Sequence, residues 1–212
     1  MKYVFLFPNS RTYTRTVLAF TSYLSSYRER YIDSSFISSD SYSYSYNYPS
    51  IRSSFLINHK FNSRNAIRGG INLNFLNAIM TNYQKQLSGD IDTLVMPKGS
   101  GELLQGYVQW KYRPIPEFEI NSGFHLIEST LNGNLLIEPR IGLKYQIAQR
   151  TSFNCGFGLH SREESLAVYY ALIKDTDGNR YPLNMELDLS RAYHWAAGAE
   201  ISFNDDLRMR LE

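Results

Sequence analysis

Three histidines, His125, His160 and His194, carry the chemistry most open to use in this chain. A neutral imidazole is the commonest protein ligand for a metal, so the three could touch a metal ion or an iron chelate. Each has apolar sequence neighbours, such as Phe124 and Leu126, Leu159, and Tyr193 and Trp195. In an extended chain all three therefore project with the polar residues. Glu128 or Glu138 could join them. The plainer reading is that a wet wall tolerates histidine. The fourth, His59, falls on the apolar side near a short turn, where an interfacial position is expected.

A second group is aromatic. The stretch Ser41-Tyr-Ser-Tyr-Ser-Tyr-Asn-Tyr48 is of low complexity and lies within a long connection. Tyr42, Tyr44 and Tyr46 could stack on sugars or flat chelates, because a phenol ring offers an apolar face and a polar tip. The competing and favoured expectation is a strand extension standing above a membrane. Asp175-Thr-Asp-Gly-Asn179 resembles a calcium loop, but Arg180 stands where that loop needs glycine and no helix flanks it. A hairpin tip inside a long loop is expected there instead, with Ala167–Ile173 as an adjoining strand.

No catalytic set emerges. The chain has no nucleophile elbow, no phosphate-cradling glycine loop and no His-Glu-x-x-His helix. A barrel lipase would need serine and histidine on the apolar face, and His59 has no obvious partner there. Neither an enzyme nor a cofactor is expected. The formal net charge of +2 gives no basic face for nucleic acid. Cys155 is the only cysteine, so no internal disulfide or cysteine-based zinc site can form. With Phe153, Phe157 and Leu159 around it, it reads as a small hydrophobe.

The elements that must hold these residues alternate apolar and polar side chains with a period of two. In Leu135–Ile147, Leu135, Ile137, Ile141, Leu143, Tyr145 and Ile147 oppose Glu138, Arg140, Lys144 and Gln146, while Pro139 signals a local irregularity. Ser152–His160 repeats the pattern. Similar faces occur around residues 51–60, 67–75, 104–112, 118–126 and 193–203, less cleanly at Tyr13–Tyr27, with partial strands at Lys2–Phe7 and Leu207–Glu212. Short turns fall near Asn62–Asn65, Arg113–Pro116, Ala148–Arg150 and Asn204–Asp206. Longer connections fall around Arg28–Tyr48, Asn82–Gly101, Ser129–Asn134 and Ser161–Ser190. No run of about 20 apolar residues supplies a membrane helix, yet a barrel strand needs only about 9–11 residues, half of them apolar.

Short turns on one side and long loops on the other predict an all-β antiparallel meander forming part of a transmembrane β-barrel, about 8–10 strands of a larger barrel. Aromatic residues, 15% of the chain, support β structure, and Phe61, Trp110, Tyr112, Phe118, Tyr145, Phe153 and Phe203 crowd the short-turn ends as an interfacial girdle would. The charged face (Arg52, Arg68, Glu117, Glu119, Glu138, Arg140, Lys144, Glu200) suits a wide, wet lumen. A soluble β-sandwich or lipocalin-like barrel is the alternative. Open strand edges are not tolerated in lipid, and Met1–Pro8 is too short for a secretory signal core. Residues 1–212 are thus expected to be a partial outer-membrane barrel, incomplete at both ends.

Ile137-Glu-Pro-Arg-Ile-Gly-Leu-Lys-Tyr145, Thr151-Ser-Phe-Asn-Cys-Gly-Phe-Gly-Leu-His-Ser161, Ser190-Arg-Ala-Tyr-His-Trp195 and Gly198-Ala-Glu200 resemble the later barrel strands of TonB-dependent outer-membrane receptors, those of Bacteroidota in particular. The resemblance is specific from about Gly101 to Glu212 and looser before it. It implies a barrel of roughly 22 strands with a plugged lumen. It also implies import of scarce nutrients with energy delivered from the inner membrane. Its partners would be outer-membrane lipid, the rest of the barrel, a plug domain, the TonB complex and a surface lipoprotein. The chain shows no plug domain, no energy-coupling motif and no closing aromatic-terminated strand, so those partners would be engaged through regions outside it. A passive porin or adhesin-like barrel is the rival within the membrane.

Overall fold

The computed structural model describes Met1 to Glu212 except Asn9, Leu87 and Ser88. In chain order the elements are β1 (Lys2–Leu6), β2 (Thr12–Ile32), β3 (Ser38–Lys60), β4 (Asn65–Lys85), β5 (Ile91–Thr93), β6 (Lys98–Ile115), β7 (Phe118–Ser129), β8 (Leu135–Ala148), β9 (Thr151–Arg162), α1 (Leu166–Tyr169), β10 (Leu172–Lys174), β11 (Arg180–Pro182), β12 (Ser190–Ser202) and β13 (Arg208–Leu211). They form one antiparallel meander in the order β1-β2-β3-β4-β6-β7-β8-β9-β12-β13. β5 adds to β4, and β10 pairs only with β11. The sheet is open, with β1 and β13 at its edges among the described residues.

The connections alternate in length as the sequence predicts. Two-residue turns join β6 to β7 and β8 to β9, and Asn62 closes the turn between β3 and β4 by accepting the backbone N–H groups of Arg64 and Asn65 (2.8 Å each). Asn204 does the same for Asp206 (3.0 Å) and Leu207 (2.6 Å) before β13. Such asparagine side chains imitate a backbone turn, which is why short polar runs suffice here. On the opposite side lie the connection after β4 and the long segment between β9 and β12. Part of the expected connection Asn82–Gly101, Leu87 and Ser88, lies outside the described residues.

Three expectations are corrected. The connection expected over Arg28–Tyr48 is much shorter, only Asp33–Ile37 at the tip of a β2–β3 hairpin, while the strand extension favoured for Ser41–Tyr48 is what β3 forms. The serine–tyrosine alternation there has the period of a strand, and register pairs Tyr27 with Tyr44 and Tyr23 with Tyr48. Ala167–Ile173 is not one strand; it holds the helical turn α1 and the start of β10. Glu128 stands beside Leu104 and Leu135 on the apolar face, one residue out of phase with His125.

Over the short-turn half of the sheet the two faces differ in chemistry. The β9–β12 segment covers one face, here called inner. On it lie Glu138, 1% exposed, and Ser152, 5% exposed, with Arg68, His125 and Arg140. The bare outer face carries Phe20, Phe55, Ile71, Phe124, Ile137, Ile141 (45% exposed) and Trp195 (79%). Outer aromatics gather in two belts. Near the short turns Trp110 stacks on Tyr112 (5.1 Å between centroids) and its indole N–H donates to Asn65 (3.3 Å). Far from them Phe157 packs against Trp195 (4.4 Å) and Tyr193 (6.4 Å). His59 lies on the outer side by a short turn, hydrogen-bonded to Thr12 (2.7 Å).

The dry core is small and sits at the long-loop end of the inner face. Ala78, Met80, Val95 and Leu166 are buried together, with Tyr46, Tyr48, Leu76, Leu131, Ala167 and Tyr170 packed around them. Burying a valine, leucine or methionine side chain stabilises by about 1.5–3 kcal/mol, so this cluster contributes to holding the covering segment down.

Candidate functional site

The site is built on the inner face from the middle of β4, β6, β7 and β8. A cavity of about 510 Å³ is lined there by Arg68, Asn72, Gln109, Asn121, His125 and Arg140. Its organising group is Glu138. Pro139 has no N–H to give, and the β8–β9 ladder ends at Arg140 and Gly158. Across the gap Glu138 accepts the backbone N–H of Ser161 (2.6 Å) and the Ser161 hydroxyl. It also accepts Arg140 Nη2 (2.6 Å) and pairs with His125 Nδ1 (2.7 Å). A buried carboxylate is costly unless it is hydrogen-bonded and paired, and this one is both. The carboxylate acceptor makes His125 Nδ1 the donor.

His160 and His194 form a separate pair. Their rings meet edge to face, 4.8 Å apart at 88°, because β9 and β12 place them diagonally across the ladder. The His160 ring lies over Gly158, where a β-carbon would come within 3.0 Å of Nε2. The three histidines thus share one face but do not converge. Among the described residues no three His, Cys, Asp or Glu side chains gather to hold a metal ion.

Toward the long-loop end the inner face turns aromatic. Tyr42, Tyr44 and Tyr46 of β3 project inward, not into a loop, and continue with Tyr48 and with Tyr23 and Tyr27 of β2. The rings form one ribbon: Tyr44–Tyr46 at 4.8 Å, Tyr27–Tyr44 at 5.9 Å, Tyr46–Tyr48 at 6.1 Å and Tyr23–Tyr48 at 6.4 Å. The Asn82 amide donates to the Tyr46 hydroxyl (2.6 Å).

The segment between β9 and β12 seats itself beside this ribbon. Leu166 of α1 enters the dry cluster, and Tyr170 lies across Gly99, where any β-carbon would sit 2.4 Å from the ring. The Tyr170 hydroxyl donates to the Ser100 carbonyl (2.8 Å), and the Asn132 amide to the Leu187 carbonyl (2.6 Å). Glu163 accepts the Ser129 hydroxyl (2.5 Å). Burial pushes the Glu163 carboxyl above the usual range, and the Ser129 bond offsets this only in part. At the β10–β11 hairpin Arg180 pairs with Asp92. Hydrogen bonds from Gln86 and then Arg180 hold the Asp92 carboxyl below its usual range. The hairpin tip is closed by Asp175, which accepts the N–H groups of Asp177 (3.0 Å) and Asn179 (2.8 Å), with Gly178 at φ +88°.

The sequence reading placed Arg68 on the charged face but did not single it out as a site residue, and it missed Glu163 and the Tyr23 and Tyr27 part of the ribbon, which depend on which strand lies next to which.

No family model matches the chain, and no curated protein matches it. Solved structures do. The ferric enterobactin receptor PfeA, in complex with BCV-L6, superposes with a TM-score of 0.67 at 10% identity, over 91% of this chain and 31% of that one. The siderophore receptor PirA from Pseudomonas aeruginosa superposes with a TM-score of 0.56 at 14% identity, over 91% of this chain and 38% of that one. At such identities the likeness is one of fold, and the chain spans a minor part of each receptor.

Proposed function

We propose that this chain is part of the wall of a TonB-dependent outer-membrane receptor that imports a scarce nutrient. One observation carries the reading. A wall with the fold of siderophore receptors exposes its apolar residues outward and keeps Arg68, His125, Glu138 and Arg140 inward. Hydrocarbon outside and water inside is the arrangement in which both faces are satisfied.

In this reading the donors of the 510 Å³ basin line the solute path. His125, His160 and His194 and the ribbon residues Tyr42, Tyr44 and Tyr46 contact the solute at successive heights. The rest of the barrel, a plug domain and the TonB complex complete the machine. The resemblance of residues 101–212 to Bacteroidota receptors favours a surface lipoprotein on the long-loop side.

The test is fractionation and uptake with the polypeptide that contains this chain. It is expected in the outer membrane, with heat-modifiable electrophoretic mobility, and uptake is expected to stop when the inner-membrane proton gradient is dissipated. Uptake that continues without the gradient identifies a passive porin instead. A folded, monodisperse monomer in detergent-free buffer would remove the membrane placement altogether.

A further inference from the structure

A second cavity, about 430 Å³, lies between the tyrosine ribbon and the root of the β9–β12 segment. Its lining divides by chemistry. Tyr23 and Tyr48 form an aromatic wall, nearly parallel at 13°. Leu103, Ile127 and Leu166 supply apolar surface. Glu163 and Glu164 enter from the covering segment with Arg162. Arg162 pairs with Glu164 (3.3 Å), which also accepts the Ser190 hydroxyl (2.7 Å). Glu163 has the Ser129 hydroxyl and, among the described residues, no cation.

The lining also holds Gln105 and Ser165. Among the described residues the Glu163 carboxylate is bonded to Ser129 but has no counter-ion, and it shares the cavity with two π faces. An anion would meet the Glu163 charge. A neutral guest would leave that charge without a partner, which is costly. A cation with N–H donors pairs it, and ring faces attract positive charge. We propose that this cavity binds an organic ammonium group, its N–H donors directed to Glu163 and its apolar body against Tyr23 and Tyr48.

The site is opposite in sign to the basin below it, where Arg68 and Arg140 present donors. It does not depend on the receptor reading, since it needs only the inner face and the segment seated on it.

The experiment is calorimetric titration of the polypeptide that contains this chain, purified in detergent, with benzylammonium chloride, benzyl alcohol and benzoate near neutral pH. Benzylammonium is expected to bind at least about tenfold more tightly than either analogue. E163Q is expected to remove most of that preference, whereas E200Q, whose carboxylate pairs with Arg208 outside the lining, is expected to change it by less than about twofold. Acidification should weaken benzylammonium binding to the unaltered chain as Glu163 takes up a proton, a readout that needs no variant to fold. Equal binding of the alcohol, no binding of the ammonium, or an E163Q titration identical to the unaltered chain would each overturn the site. None of these results bears on uptake or on membrane fractionation, so the receptor reading stands or falls separately.

Discussion

The lower wall and the upper hairpin of this molecule are built from the same strands but face opposite ways. In β3, Ile51, Phe55 and Ile57 point outward and Arg52, Ser54 and Asn58 inward. Higher on the same strand Ser43, Ser45 and Asn47 point outward and Tyr42, Tyr44, Tyr46 and Tyr48 inward. In β2 the outward series changes from Leu18 and Phe20 to Ser22, Ser26 and Arg28, interrupted by Leu24. In β4 the inward series changes from Arg68, Asn72 and Asn74 to Leu76, Ala78 and Met80. The reversal falls at one level, marked by the Ser22 hydroxyl donating to Asn47 (2.8 Å). Strand geometry is indifferent to which face is apolar, so only the surroundings can select the sign. Below this level the apolar side chains are on the outer face; above it they turn inward and serine and asparagine face outward.

Substitutions can break this comparison. The largest effect is expected in the upper core. Met80→Ala, at a site 1% exposed, should cost about 2–5 kcal/mol because a cavity replaces a packed side chain. Amide exchange should accelerate in residues 163–189, which rest on that core, and much less in β8 and β9. Uniform acceleration would mean that the two regions are one cooperative unit. Next comes a paired test of the outer face. Ile141→Arg in the lower wall should cost about 2–4 kcal/mol in lipid vesicles, measured by urea unfolding, while Ser45→Arg above the reversal should stay within about 0.5 kcal/mol. Similar small costs at both sites would show that water bathes both levels. Third is Gly99→Ala. The new methyl cannot coexist with the Tyr170 ring as it lies, so the covering segment should lose about 1–3 kcal/mol, read as exchange at Tyr170 and Leu172.

Much of the lower wall was legible in the sequence because each strand declares its own faces. Leu135–Ile147 and Ser152–His160 needed no neighbour to be read, and Pro139 announced the broken ladder that Glu138 and Ser161 fill. The upper region was harder for a physical reason. Serine and tyrosine alternate there just as well, which is why a strand extension is the favoured expectation over Ser41–Tyr48, but serine on the outside looks like loop composition and places the connection too wide, from Arg28 instead of Asp33. Glu128 was lost to parity, since a one-residue step changes face. The ribbon and the Ser129–Glu163 contact join residues far apart in sequence through cross-strand register or loop docking, and no local pattern encodes them.

The smallest expected effect separates two carboxylates within the covering segment and its partner loop. Glu163 is raised by burial and Asp92 is lowered by Gln86 and Arg180. A raised acid means that the folded state keeps a proton the unfolded state has already released. Between the ordinary glutamate range and the raised value, docking of the segment therefore weakens as pH rises. Asp92 acts in the opposite sense: its contribution is present above the ordinary aspartate range and is lost as pH falls through the lowered value. Mild acidification from neutral should thus firm residues 163–189, and only stronger acid should loosen the Asp92–Arg180 contact. Amide exchange corrected for intrinsic rates, with β8 and β9 as internal reference, measures both. E163Q should abolish the first response and leave the second. A bound ammonium group favours the ionised carboxylate, so adding benzylammonium should flatten the first response in the unaltered chain as well. Weaker protection on mild acidification would contradict the buried position of Glu163, and with it the view that this segment rests on a dry core instead of hanging in water.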